Sequence, residues 1–238
     1  MASRLLAISF DANDPQQLGH FWAGLLGRAA TADSDGGVVL EPDDAGQPRI
    51  RFQLAPNEKI GQNRMHFDLT SSSLEDQQRQ VALALKLGGR HIDIGQSPDE
   101  PHVVLADPEG NEFCVIEPGN NFLAGTGRIG ALACDGSQQV GYFWNRALDW
   151  PLVWDQDEET AIQSPLGGTK ITWGGPPVEP LIGKGRVHFD LVPDDQEAEL
   201  ERLIMLGAQR SALSPDDQDW VVLTDPDGNE FCLRSAGS

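Results

Sequence analysis

The 238-residue chain is short of thiols, of cations and of long apolar runs, and each shortage removes a class of answers. Its three cysteines, Cys114, Cys134 and Cys232, form no Cys-x-x-Cys pair and are odd in number, so neither a zinc knuckle nor a disulfide framework is expected. The thiols are read as reduced. Lysine and arginine number 17 against 37 aspartates and glutamates, a formal net charge of −20 that repels a polyphosphate, and no basic run overrides it. Nucleic acid is therefore excluded as an expected partner, and the acidic excess is read as a solubilising surface. There is no run of about 18 apolar residues, the length a membrane helix needs. The opening MASRLLAISFDAND reaches an acidic turn too soon for a signal peptide. A soluble, cytoplasmic protein without a membrane partner is expected. With 39% apolar and 23% charged residues the chain has matter for packed cores, and its length suits one large or two small domains.

What is present, above all, is repetition. DPEGNEFC at 107–114 returns as DPDGNEFC at 225–232, NRMHFDL at 63–69 as GRVHFDL at 185–191, and HFWAGLLG at 20–27 loosely as YFWNRALD at 142–149. His66 to His188 and Trp22 to Trp144 are both 122 residues apart, and Cys114 to Cys232 is 118, so order and spacing are kept. The chain is a tandem duplication, and PGNNFLAGTG at 118–127 has the composition of a linker between the copies.

Each copy divides again. LLAISFDA reads as a strand, and Asp14-Pro15-Gln16-Gln17 offers an N-cap, a proline at the first helical position and a glutamine at the third. Leu18, Phe21, Trp22, Leu25 and Leu26 then recur at steps of three and four, which predicts a helix with one buried stripe, ended by Gly27. Strands are expected at 28–32, 37–41 and 49–54. The order repeats with a strand at 64–69, a capping box at Ser72 and Glu75, a helix to Leu87 stopped by Gly88-Gly89, and strands at 91–94, 102–106 and 112–116. This is βαβββ twice per copy, four units in all. DPEGNEFC itself fits a type I turn between the last two strands, so its recurrence needs nothing beyond two sheets closing alike.

Paired βαβββ units, a strand reading RxHxDL and a last hairpin reading DPxGNEFC together resemble the glyoxalase-like proteins of the vicinal oxygen chelate superfamily, over nearly the whole chain. The resemblance implies an α+β fold of two tandem glyoxalase-like domains, residues 1–118 and 126–238. Each would be a pair of βαβββ modules forming an eight-stranded cup with helices outside, metal and substrate lying on the concave face. Whether the cups form within each copy or by exchange between copies is left open, as is the need for a homodimer.

Strand alternation sorts the side chains, because residues i and i+2 share a face. Met65, Phe67 and Leu69 are assigned to the helix side, which leaves Arg64, His66 and Asp68 for the concavity. The same division gives Arg186, His188 and Asp190 in the second copy, and Arg51 and Gln53 on the strand at 49–54. Metal-binding members of the superfamily take His or Gln from the first strand of a module and Glu from the last. His66 and His188 match the first-strand position; Cys114 and Cys232 stand where the Glu would be, and Gln53 takes that place in the first module. The strand at 5–10 offers neither His nor Gln, and in the third module Thr172 or Trp173 falls opposite Gln53. The resemblance thus implies a degenerate metal site. A borderline-soft ion such as zinc would have His66, Gln53 and Cys114 as its donors if Cys114 ionises, while the reading preferred for the same cysteine is a small buried strand residue that packs rather than binds. His188 with Cys232 supplies only two donors.

Two classes of function follow from the resemblance. One is a small-molecule-binding protein whose metal site has eroded, an antibiotic-sequestering resistance protein being one version. The other is a divalent-metal-dependent lyase, isomerase or oxygenase acting on a small oxygenated substrate, with His66 as acid or base. Residues assigned to the ligand are Arg51, Gln53, Asp68, Cys114, Trp173, His188 and Cys232. Trp150, Trp154, Trp173 and Trp220 are candidates for a stacking wall, with Asp149 and Asp155 as acidic neighbours, whereas Trp22 and Trp144 on helix stripes are assigned to the core. His20, His91 and His102 lack partners at a recognisable spacing and are read as surface or strand residues.

Overall fold

A computed structural model describes residues 3–56, 58–178, 182, 184–211 and 219–235. The βαβββ order recurs four times. Module 1 comprises β1 (Arg4–Ala12), α1 (Pro15–Leu26), β2 (Ala30–Ala32), β3 (Val38–Leu40) and β4 (Ile50–Leu54). Module 2 comprises β5 (Met65–Leu69), α2 (Leu74–Lys86), β6 (Arg90–His91), β7 (Val103–Ala106) and β8 (Glu112–Val115). Module 3 comprises β9 (Ile129–Cys134), α3 (Gln138–Leu148), β10 (Leu152–Gln156), β11 (Glu159–Gln163) and β12 (Lys170–Trp173). Module 4 comprises β13 (Val187–Val192), α4 (Gln196–Leu206), β14 (Gln209–Arg210), β15 (Trp220–Thr224) and β16 (Glu230–Arg234). No helix among the described residues is long and apolar enough to cross a membrane.

Local chemistry sets the element ends. The Asp14 carboxylate accepts from the Gln16 and Gln17 amides, Pro15 occupies the first turn, and Gly27 closes α1 in the left-handed region at φ 74°. The cap of α2 lies one residue later than the spacing suggests: Ser73 accepts from the Asp76 amide, while Ser72 donates to the Asp76 carboxylate. The strand expected at 91–94 shrinks to Arg90–His91, because Ile92 and Ile94 turn inward against the concave face of the sheet.

Sheet pairing answers the question of exchange. The first eight-stranded sheet runs β14-β15-β16-β13-β1-β4-β3-β2 and the second β10-β11-β12-β9-β5-β8-β7-β6. Module 1 therefore shares a sheet with module 4, which we call cup A, and module 2 with module 3, cup B. Both seams are antiparallel first strands, β1 on β13 and β5 on β9. Each sheet takes one module from each tandem copy.

Helices do the opposite and tie each copy to itself. Trp22 on α1 lies 5.5 Å from Phe67 and 5.1 Å from Phe113, both in cup B's sheet, as well as 6.1 Å from Phe10 in cup A's. Trp144 on α3 packs 4.5 Å from Phe189 and 5.0 Å from Phe231. One apolar core thus joins the convex faces of both sheets, and the burial of such aromatics is the dominant favourable term holding them.

The repeated octapeptide locks this arrangement. Asp107 accepts from the Glu109 and Asn111 amides, the Asn111 side chain and the Trp22 indole, and Asp225 repeats the pattern with Asp227, Asn229 and Trp144. Glu109 accepts from the Asn13 and Asp14 amides, and Asp227 from Ser137. The arginines expected in the concavity sit here instead. Arg186, just before β13, is buried and pairs with Glu109, while Arg64, just before β5, donates to the Asp227 carbonyl and the Asn229 side chain. Both precede the regular strand, so alternation does not fix the face they take.

Candidate functional site

Ladder register aligns the two floors side chain by side chain. Across cup B the transverse row is His66, Ala133, Thr172, Ala161 and Trp154; across cup A it is His188, Ser9, Arg51, Val39 and Thr31. Opposed residues on neighbouring strands point to the same face, so each row lines one concavity. Cup B is polar at one end, small in the middle and aromatic at the far end. In cup A the middle is filled by Arg51.

The His66, Asp68 and Cys114 expected in a common site are together in cup B. The β5 burial pattern alternates as the sequence requires, with Met65, Phe67 and Leu69 buried and His66 and Asp68 half-buried. His66 Nε2 lies 3.4 Å from Asp68 Oδ1, and the two side chains keep 29% and 19% of their surface. Asp68 is register partner to Cys114 across the parallel β5–β8 pair. Burial alone would lower the His66 pKa, but hydrogen bonding to Asp68 and contact with Cys114 outweigh it and raise the imidazole to about 10. Burial also pushes the Cys114 thiol up, against the influence of His66. Above this floor Val104, Ile116, Leu123 and Ala131 form an apolar cluster with Ile92, Ile94 and Phe122. Phe122 belongs to the segment between the copies; it meets Trp154 edge-on at 5.8 Å, and the Lys170 ammonium lies 4.1 Å from its ring centroid.

Gln53 is not with them. It lies on β4 in cup A, where Nε2 donates to Asp11 Oδ1 at 2.7 Å and stands 3.5 Å from His188 Nε2. The expected donor set of His66, Gln53 and Cys114 is thus divided between two sheets, because β4 pairs with β1 rather than with any strand of module 2. Asp68 takes the third place beside His66 and Cys114. Strand register matches Thr172 to Arg51, so the position of Gln53 in module 3 falls on Gly174, rather than on Thr172 or Trp173. Trp173 is not at a ligand face: it is fully buried in the shared core beside Cys134. Trp150 also packs against that core, and Trp154 and Trp220 alone of the four proposed wall residues lie on concave faces. Asp149 caps α3, and Asp155 accepts from Gln138 and Tyr142.

Cup A is an ionic web. Asp190 is fully buried; its Oδ2 accepts from Ser9 Oγ at 2.7 Å and lies 3.0 Å from Arg234 Nε and 3.5 Å from Arg51 Nη1. Arg51 also donates to Asp33, Asp35 and Gln53, and its pKa is raised, the carboxylates outweighing the lowering effect of burial. Lys184 donates to Asp11 at 2.6 Å. Burial and the neighbouring Asp190 charge push the Cys232 thiol up to about 12.

This contrast bears on metal. His66, Asp68 and Cys114 place one donor atom each within 4.8 Å of one another, as do His188, Asp190 and Cys232. The cup B group fits a borderline-soft ion: three mixed N, O and S donors on an open floor suit a zinc-type centre with a free position. The cup A group does not, since two guanidiniums already neutralise Asp190 where a cation would stand. Sequence reasoning missed Asp11, Ser9, Arg234 and Lys184 because module 1 and module 4 were not known to share a floor. The HFDL and SFDA strings at 66–69 and 9–12 were the available signal.

The comparisons with known proteins come to the same architecture. A family model described as a glyoxalase-like domain matches residues 7–116 and again 131–234. Glyoxalase I from Zea mays superposes with a TM-score of 0.65 at 13% identity, covering 98% of this chain and 92% of that one. A putative dioxygenase from Bacillus subtilis gives 0.60 at 17% identity, covering 100% and 86%. At these identities the likeness concerns the fold. No curated protein matches the chain.

Proposed function

The chain belongs to the glyoxalase-like domain family of the vicinal oxygen chelate superfamily, and from that premise we propose that it is a small-molecule-binding protein whose working site is cup B. The ligand is a compact apolar or aromatic molecule with an oxygen function at one end. The observation that carries this reading is the row from His66 to Trp154, whose middle holds only Ala133, Thr172 and Ala161. Small side chains keep the middle of the floor low, Phe122 and Trp154 supply an aromatic wall, and His66 and Asp68 orient the oxygen. Thr172 adds a hydroxyl between the two ends.

A second reading makes the site metal-dependent. His66, Asp68 and Cys114 would hold a divalent ion such as zinc, which when bound supplies Lewis-acid polarisation of a ligand oxygen. The donor atoms' convergence, with no arginine or lysine paired to Asp68 among the described residues, supports this. A lyase, isomerase or oxygenase activity needs that ion; sequestration of an antibiotic-like molecule needs only the walls. In the metal-free form His66, held protonated beside Asp68, is the residue placed to give a proton or a charge-assisted hydrogen bond to the ligand oxygen.

Calorimetric titration with zinc of protein purified without a metal-affinity tag separates the two. The metal reading expects one ion per chain, lost in His66→Ala and kept in His188→Ala; no uptake sinks it. For the binding reading, aryl ketones and aryl alcohols are screened by ligand-observed NMR. Binding that weakens by about tenfold or more in Trp154→Ala is expected, the scale of a lost aromatic contact in a desolvated site. Binders indifferent to both Trp154→Ala and His66→Ala would remove cup B as the site.

A further inference from the structure

Cup A holds hydrogen-bonding capacity that the protein does not spend. Arg234 is 9% exposed; its Nε is ion-paired with Asp190 Oδ2 at 3.0 Å, its Nη2 has only a 3.5 Å contact with Gln53, and Nη1 has no partner among the described residues. Its register partner Trp220 stands on the same concave face with the guanidinium 5.0 Å from its ring, and the buried Trp220 indole N–H is also unspent among the described residues. Opposite them Asp190, with no exposed surface, leaves Oδ1 without a hydrogen-bond partner among the described residues, His188 Nε2 standing 3.6 Å away and beyond reach. Buried polar atoms are nearly always satisfied, so a cluster of orphans on one floor marks a place where something else supplies the partners.

The balance of the orphans says what that is. With Nε engaged by Asp190, the unspent donors are the Arg234 Nη groups and the Trp220 indole N–H, set against the single acceptor Asp190 Oδ1, so the missing partner is an oxyanion. The carboxylates of Asp190, Asp11, Asp33 and Asp35 on the same floor, with the chain's net charge of −20, disfavour a dianion, which selects a monoanion. Trp220 offers a flat apolar face beside the charge. In cup B the matching residue of the repeat is Ile116, packed in an apolar cluster, so cup B lacks the feature. We propose that cup A is a second ligand site, independent of the one in cup B, in which Arg234 and Trp220 bind the carboxylate of a small monocarboxylic acid. Arg51 lies on the other side of Asp190 and holds the Asp190 carboxylate in place. A hydroxyl on the ligand, or a bridging water, serves Asp190 Oδ1.

The test uses benzoate as probe on the full-length, ¹⁵N-labelled chain, following the indole N–H of Trp220 and the Nε–H of Arg234. Expected are saturable shifts of both signals, with the Trp154 indole in cup B unmoved. Neutral benzamide should bind weaker by at least about tenfold, as loss of a charge-assisted hydrogen bond requires. Arg234→Gln should weaken benzoate to a similar extent. Should that variant fail to fold, the benzoate and benzamide comparison in the unaltered chain decides alone. Equal affinity for benzamide, tighter binding of inorganic phosphate, absence of saturation, or shifts at Trp154 without shifts at Trp220 would each overturn the proposal. None of these results bears on zinc uptake at His66, so the two sites stand or fall separately.

Discussion

Isoleucine at 116 and arginine at 234 occupy matching places in the repeat, and the difference changes what the adjoining floor can hold. Ile116 joins an apolar cluster; Arg234 brings a charge that must be balanced, and it meets Asp190, itself held by Ser9, and Gln53. Asp107 shows how such balances become measurable. Burial raises its pKa to about 6, even though Asn111, Trp22 and the Glu109 amide donate to it. A carboxyl raised on folding binds protons more tightly folded than unfolded. Its contribution to stability is therefore complete below the unfolded value near 3.8 and is lost as pH rises through about 6. A ¹³C-carboxyl titration should place the Asp107 midpoint near 6, and a midpoint below 4 would mean that the four donors outweigh burial. The sequence did identify Asp107 as a corner residue. It could not announce the buried indole beside it, because Trp22 lies 85 residues away.

At the scale of elements, the hairpin corners act as cross-links rather than simple reversals. Arg186 and Glu109 are almost fully buried, with side-chain exposures of 2% and 6%, and they join the edge of module 4 to the corner of module 2. Removing one partner strands the other charge, so Arg186→Met or Glu109→Gln alone should each cost about 3–5 kcal/mol, and the double variant much less than the sum. Denaturant melts of the four proteins in that cycle give the coupling; additivity would show that the pair does not interact. A second tie lies at the loop between β3 and β4, where the Gln47 side chain donates to the Thr126 carbonyl and to Thr169 and accepts from the Ile129 amide. Gly168, at φ 84°, lets the backbones meet there, since a Cβ on it would sit 1.7 Å from the Gly46 oxygen. Helix starts and strand alternation were legible because they depend on neighbours within a few residues. The inward face expected for Arg64 and Arg186 was not borne out, because both stand just outside their strands and answer to the opposite corner.

At the scale of the whole molecule, each cup is built from both tandem copies, while α1 and α3 set their tryptophans mainly on strands of their own copy. Cutting the linker between residues 118 and 126 should therefore leave two fragments that each lack half of both sheets. Expressed separately, 1–118 and 126–238 should not give the native fold as monomers; expressed together, they should copurify at equal stoichiometry with the far-ultraviolet and near-ultraviolet circular dichroism of the intact chain. Stable, cooperatively melting single fragments that do not associate would contradict the exchanged pairing. What the amino-acid order determined by itself was the unit: its period, its caps, its buried and open faces, and four repetitions of it, all matters of spacing along one strand or helix. Which unit sits beside which was decided only in three dimensions. Edges of equivalent strands β1, β5, β9 and β13 offer the same unpaired backbone groups, and the choice among them is made by the aromatic cores and buried ion pairs that the convex faces bring together. That choice moved Gln53 away from His66, set Asp68 beside Cys114, and gave Arg234 a floor to share with Arg51.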